Sequence, residues 1–434
     1  MRAYMTKAFS VLSLPVALLS ASCGGDDDNN KNNNTGTTSQ SLSCTANVCT
    51  VPAGEFTTDM TWTADNTYLL KGKVFIGKGT PETAAVLTIE AGTKILGESA
   101  SKAYLAILPY SKIMARGTAQ KPIIFTSDAA TRGRGDWGGL ILSGNAPVNC
   151  GGSATTCQGE GDTGAYGGTD AADNSGVLEY VRVEFAGNQV NPTDELNGIA
   201  FQGVGSGTTV NHVQVHKAKD DGIEFFGGTV NVDHVLITGV GDDCFDWTYG
   251  WQGTARYVIA QQYDDDSDNG IEADNNGDAH DASPRSNPTI ENITFIGSPD
   301  SDKSDIGLLL RAGTAGKISK AIVAYFNDAC VDIDDAATFT LAGGADGTPT
   351  NSLTVKDSIF WCPTPGKAVK DNDEDPWKVS DFMMGLGNSE IDPQIAKPFD
   401  LSAPDFSASA SEAAGKGGMP DGDWYTGWAA FPAS

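Results

Sequence analysis

His212-Val213-Gln214-Val215, followed by Asp220-Asp221-Gly222-Ile223-Glu224-Phe225, returns 22 residues later as His234-Val235-Leu236-Ile237 and Asp242-Asp243-Cys244-Phe245-Asp246-Trp247. The next unit is Tyr257-Val258-Ile259-Ala260 with Asp268-Asn269-Gly270-Ile271-Glu272-Ala273. Asn292 to Phe295 with Ile306 to Leu310, and Ala321 to Ala324 with Ala329 to Ile333, continue it downstream; Tyr180 to Val183 with Asn197 to Phe201 begin it upstream. Each unit holds short alternating runs separated by Gly, Asp and Asn, the pattern of half-buried strands between tight turns. A period near 22 is one coil of a parallel β-helix: one coil cannot bury its own apolar side, but stacked coils share a core. A β-sandwich would instead place hairpin turns at irregular spacing without equivalent positions. The longer interval from Val181 to Val213 marks a loop swelling from one corner.

The N-terminal part agrees. Tyr68 to Ile76, Leu87 to Ile95, Leu105 to Thr118, Lys121 to Ser127 and Asp136 to Leu142 read as successive coils. These stretches, with Trp137-Gly138-Gly139, resemble exported bacterial β-helix lipoproteins of the pectin-lyase-like superfamily, from about residue 50 to 434. The resemblance implies an all-β, right-handed parallel β-helix. It also implies a C-terminal cap formed by Asp392-Pro393-Gln394-Ile395 and Trp424 to Phe431, and a last coil does need its edge covered.

The start of the chain reads as an address. Arg2 and Lys7 precede an apolar run, Ala8 to Leu19, too short for a comfortable membrane span and suited to a signal peptide. Leu19-Ser20-Ala21-Ser22-Cys23 resembles a bacterial lipobox, although Ser20 stands where Leu is usual. The expected organisation is a signal segment over 1–22, a lipidated Cys23 with a polar tether over 23–43, and the β-helix over 44–434. Gly24 to Ser43 holds too little apolar surface to fold. By resemblance to diderm lipoproteins, Gly24 after the modified Cys implies the outer membrane, facing the periplasm or the cell surface.

Eight cysteines fit an oxidising compartment. Besides Cys23, the short-loop pairs Cys44–Cys49 and Cys150–Cys157 are candidate disulfides; neither is a C-x-x-C zinc motif. Gly222, Cys244, Gly270, Gly307 and Cys330 share one template position. Cys244 and Cys330 are therefore three coils apart, about 14 Å at the strand spacing, which excludes a direct bond. A third bond, if one forms, involves Cys362, with Cys330 favoured over Cys244 as its partner.

Composition narrows the partners. Lys and Arg number 28 against 56 Asp and Glu, a net charge of −28. Such a surface repels nucleic acid and attracts cations, cationic proteins or neutral polyhydroxyl ligands. Gly contributes 52 of 434 residues, above the usual share of about 7%, as a turn-rich array needs.

The template also yields a candidate face. Ile223, Phe245, Ile271, Leu308 and Val331 point inward; Glu224, Asp246, Glu272, Leu309 and Asp332 occupy the next, outward position. Like carboxylates at ~5 Å repel, so a cation or ligand must offset them. Trp247 and Trp251, with Tyr249, are candidates to stack on sugar rings. Asp264-x-Asp266-x-Asp268 places oxygens at alternating positions and is the candidate calcium site, though not an EF-hand. Asp274 to Asp278 and Asp371 to Asp375 are weaker ones.

Catalytic readings are incomplete. Lys219-Asp220-Asp221-Gly222 and Gly241-Asp242-Asp243-Cys244 resemble polygalacturonase elements, which implies catalytic Asp221, Asp242 and Asp243. The expected His-Gly pair is Asn269-Gly270 here, and the Arg-x-Lys is missing. Pectate lyases on this fold use calcium and an arginine base, for which Arg182, Arg256 and Arg311 stand by position only. His212 and His234 align on one strand edge, where surface packing is the default. The expected function is therefore a carbohydrate- or partner-binding surface lipoprotein stabilised by calcium. A polysaccharide-degrading hydrolase or lyase is the alternative.

Overall fold

The computed structural model describes residues 42–151, 154–191, 194–363 and 366–433; Cys23 and nearly all of its tether lie outside them. The described chain is a parallel β-helix with three strand faces. One face is a ten-stranded parallel sheet running from Gly54–Phe56 to Ala329–Ile333, with Ile223–Phe226, Phe245–Thr248 and Ile271–Ala273 as adjacent rungs. The other two faces join at a corner. The long strands Gly176–Glu184, Thr209–His216, Asn231–Thr238, Thr254–Gln261 and Thr289–Ile296 each contribute to both and pair in parallel with their neighbours.

The corner has a repeated backbone device. Tyr180, His212, His234, Tyr257, Asn292 and Lys320 are in register, and each has φ between 49° and 57°. A bulky residue is seldom found there, because Cβ crowds its own carbonyl. Stacking offsets the cost: the rings of Tyr180 and His212 are 4.4 Å apart, His212 and His234 4.5 Å, and His234 and Tyr257 4.8 Å.

Inside the coils, aliphatic columns follow the period-2 alternation. Val213, Val235, Val258 and Ile293 are stacked partners, all buried in one continuous core. Ile223, Phe245, Ile271, Leu308 and Val331 form the matching inward column of the ten-stranded sheet. At the C-terminal end, the helices Ala336–Gly343 and Val379–Met384 insert Phe339, Phe382 and Met383 into that core beside Trp377.

The closing aromatic segment does something other than plug that end. Ile395, Phe406 and Tyr425 pack on Leu236, Ile259, Ile296, Ile322 and Ile359, which point outward from five successive coils. The segment is tied down by Arg182 to the Trp428 carbonyl, Gln214 to Ala430, His216 to Pro432 and Asn292 to Gly415. It is a lateral strap, because the apolar stripe needing cover runs down the side. Among the described residues three disulfides are formed, Cys44–Cys49, Cys150–Cys157 and Cys330–Cys362, and Cys244 is a buried free thiol.

Candidate functional site

One outward column of the ten-stranded sheet changes chemistry halfway along. In register it reads Phe75, Ala106, Ile141, Ala200, then Glu224, Asp246, Glu272, Leu309, Asp332. The upstream part is apolar and covered. Val148, Cys157 and Tyr166, from the segment after Ser143, and Leu196, from the loop after Glu184, form a second hydrophobic cluster with Ala106, Ile141 and Ala200. The downstream part is acidic.

Turn acids crowd beside it. Asp221, Glu224 and Asp246 offer oxygens within 4.8 Å of one another, and so do Asp243, Asp246 and Glu272. Asp242, Asp243 and Asp268 form a third such group, and Glu195, Asp220 and Asp242 a fourth. The local reason is a turn ladder. Asp221 accepts the Asp243 N–H at 3.0 Å, Asp243 accepts the Asn269 N–H at 2.6 Å, and Asn269 accepts the Ile306 N–H at 3.3 Å. Each turn acid thus satisfies the next coil's backbone, which is why Asp or Asn recurs there.

Few groups balance this charge. Arg311 pairs with Glu272 and, at 2.9 Å, with Asp274. Asn197 donates to Glu224 at 2.6 Å. Lys219 lies at the rim and pairs with Asp266 at 2.6 Å. Burial first, and neighbouring carboxylates second, push Asp221, Glu224, Asp243, Asp246 and Glu272 well above the usual carboxylate range. The same two causes raise Glu160 to about 7 and Asp220 to about 8. Asp246 is 9% exposed, and its Oδ1 is buried with no hydrogen-bond partner among the described residues. A buried acceptor left unpaired is costly, so this atom marks where a cation or donor fits.

Several sequence expectations are corrected here. Trp247 and Trp251 are not on the surface; both are 0% exposed. Alternation turns Trp247 inward, where its indole donates to Thr314 at 3.0 Å, and Trp251 stacks on Phe225 at 4.0 Å. Asp264, Asp266 and Asp268 do not converge: Asp264 is exposed, Asp266 is held by Lys219, and only Asp268 joins an acidic group, with Asp242 and Asp243. Asp332 is separated from Glu272 by Leu309 and lies 3.5 Å from Lys370. Asp221 and Asp243 are buried in the turn ladder rather than facing an open cleft, while Asp242 is only half-buried. Of the three arginines, Arg182 pairs with Glu184 beneath the strap and Arg256 with Asp233; Arg311 alone joins the acidic column. Glu160 and Glu195 were missed, since they come from insertions outside the template; Asn197 lies in the template, in register with Asp221, and only its bond to Glu224 was missed.

The profile of a family described as pectate-lyase like beta helix domain matches residues 54–389, well over half of the chain. The chain belongs to this pectate-lyase-like β-helix family. No curated protein and no solved structure matches it. Within this β-helix, the acidic column is the outward face of the sheet that carries the Asp-Asp turns.

Proposed function

We propose that this β-helix protein is an exported, lipid-anchored carbohydrate-binding module whose working face is the acidic column, loaded with calcium. The observation that carries the reading is the switch from Ala200 to Glu224 along one strand register. Above the switch the column is covered by the protein's own insertion; below it, carboxylates are massed with too few cations to match them. Calcium takes six to eight oxygen ligands and suits clustered carboxylates. A metal so held presents its remaining positions to sugar hydroxyls, which a neutral glycan offers in abundance. Family membership favours a carbohydrate ligand. Binding is preferred to hydrolysis because Asp221 and Asp243 are engaged with backbone N–H groups.

A second reading, a calcium-assisted lyase, is favoured by one observation: Arg311 reaches the column from the next coil. A panel of acidic and neutral polysaccharides, scored for retention and for new reducing or unsaturated ends, decides between the two. Retention that calcium restores after chelation, without new ends, is the expected outcome. Ends released by the wild type but not by Arg311→Lys would replace the binding reading with the lyase. The anchor is tested separately by labelling with a palmitate analogue, which Cys23→Ala should abolish.

A further inference from the structure

The two innermost acidic groups share a residue. Asp246 belongs both with Asp221 and Glu224 and with Asp243 and Glu272. We propose that Asp246 bridges two divalent cations, one in each group, so that the column is a binuclear site. This rests on the calcium-loaded reading of the face and specifies its stoichiometry.

Three observations support it beyond the crowding of acids. First, Asp246 is more than nine-tenths buried and its Oδ1 has no hydrogen-bond partner among the described residues, although it sits amid four other carboxylates. Second, the surrounding carboxylates each have one oxygen engaged within the protein. Asp221 Oδ1 accepts the Asp243 N–H, and Asp243 Oδ1 the Asn269 N–H. Glu224 Oε2 accepts from Asn197, and Glu272 Oε1 from Arg311. These bonds fix the side chains and leave each carboxylate a second oxygen to give, as ligands held by outer partners do. Third, the charge calls for more than one ion. The five carboxylates and Asp274, set against the Arg311 guanidinium that pairs with it, leave an excess of negative charge that two divalent ions nearly offset, whereas one ion would leave most of it buried.

The geometry suits bridging. Glu224, Asp246 and Glu272 stand on three adjacent strands of one parallel sheet. The spacing is ~4.8 Å per strand, and a carboxylate in the middle rung can give one oxygen to each side. The half-buried acids Glu195, Asp220 and Asp242 form an outer group next to the buried ones and supply a negative path for entry.

The test is a metal count on the full chain after chelation, by calorimetry with calcium and by terbium luminescence. Wild type should bind two ions. Glu224→Gln and Glu272→Gln should each keep one, and Asp246→Asn should weaken both by about 100-fold, the upper end of what losing even an outer partner of a ligand costs. Asp264→Asn, in the exposed loop, should leave the count at two. Asp246→Asn is isosteric and removes a buried like charge, so its metal-free melting should match or exceed that of wild type and confirm the fold. A wild-type count of one or none, or two ions retained by Asp246→Asn, overturns the proposal. A count of one with calcium-dependent glycan retention intact would overturn the bridge alone. Two ions without any glycan retention would support the site and remove the carbohydrate reading.

Discussion

At Asp243 one carboxylate oxygen accepts the Asn269 N–H at 2.6 Å, and one coil further on Asn269 itself holds the equivalent position. The position therefore demands an acceptor, not a charge. Burial and the neighbouring acids Glu272, Asp242 and Asp268 make the charged form unfavourable there. In chelator, Asp243→Asn should keep the acceptor, remove the repulsion and leave stability equal or higher. Asp243→Ala removes the acceptor and should cost about 1–3 kcal/mol, the usual range for a buried group left unpaired. Urea unfolding midpoints of the two variants measure this. Equal losses in both would mean that the carboxylate charge itself is structural.

The strap is the element whose stability should respond to pH. His216 is buried, with Nδ1 2.7 Å from the Thr238 hydroxyl and Nε2 donating to the Pro432 carbonyl at 3.0 Å. Burial lowers its pKa to about 4, and Lys217, Arg134 and Arg182 oppose a positive charge, against only the Pro432 carbonyl. The unfolded ring titrates near 6.5, so the unfolded state binds the proton first. The contribution is complete above about pH 6.5, falls as pH drops, and is gone by about pH 4, a loss of about 3 kcal/mol. Hydrogen exchange over 424–433, corrected for its intrinsic pH dependence, should show loosening across that window, and His216→Gln should flatten the response. The strap was partly legible in the sequence. Val235-Leu236-Ile237 is apolar at three consecutive positions, which breaks alternation and calls for cover on the outer face. The closing aromatics suit the open end equally well in the sequence, because an end also needs cover; nothing local separates the two demands. Alternation likewise places Trp247 inward once Phe245 is inward, so its burial followed from the same period that revealed the acidic column. Glu160 was not legible, because loop insertions carry no register, whereas Asn197 stands in register with Asp221 and was legible as a turn position. Asp264 and Asp266 misled because alternating oxygens converge only if the backbone curls around a centre, and here Lys219 draws Asp266 away.

At the scale of the whole molecule, stacked coils make stability nearly one-dimensional. Each coil contacts chiefly its neighbours, so loss of order propagates from an end inward. The hairpin bond Cys44–Cys49 pins the N-terminal strands, which pair antiparallel at Ser43–Thr45 and Val48–Val51. At the other end, Cys330–Cys362 ties the last rung of the ten-stranded sheet to the chain just after the final corner strand, across a separation of 32 residues. Within that loop lie the helix Ala336–Gly343 and Phe339, part of the plug that closes the core. A loop of this length restricts the unfolded chain by about 3–4 kcal/mol in the entropic account. Replacing both cysteines by serine should therefore cost about that much, and the loss should be local. Hydrogen exchange should quicken first over 329–390, then over 306–310, with the coils at 209–261 unaffected until global unfolding. Replacing Cys150 and Cys157 should instead loosen the covering insertion and leave both ends protected, because that bond lies off the stack. Uniform acceleration along the coils on loss of Cys330–Cys362 would mean that the β-helix unfolds as one cooperative body, with the acidic column held by the whole stack and not by its nearest rungs.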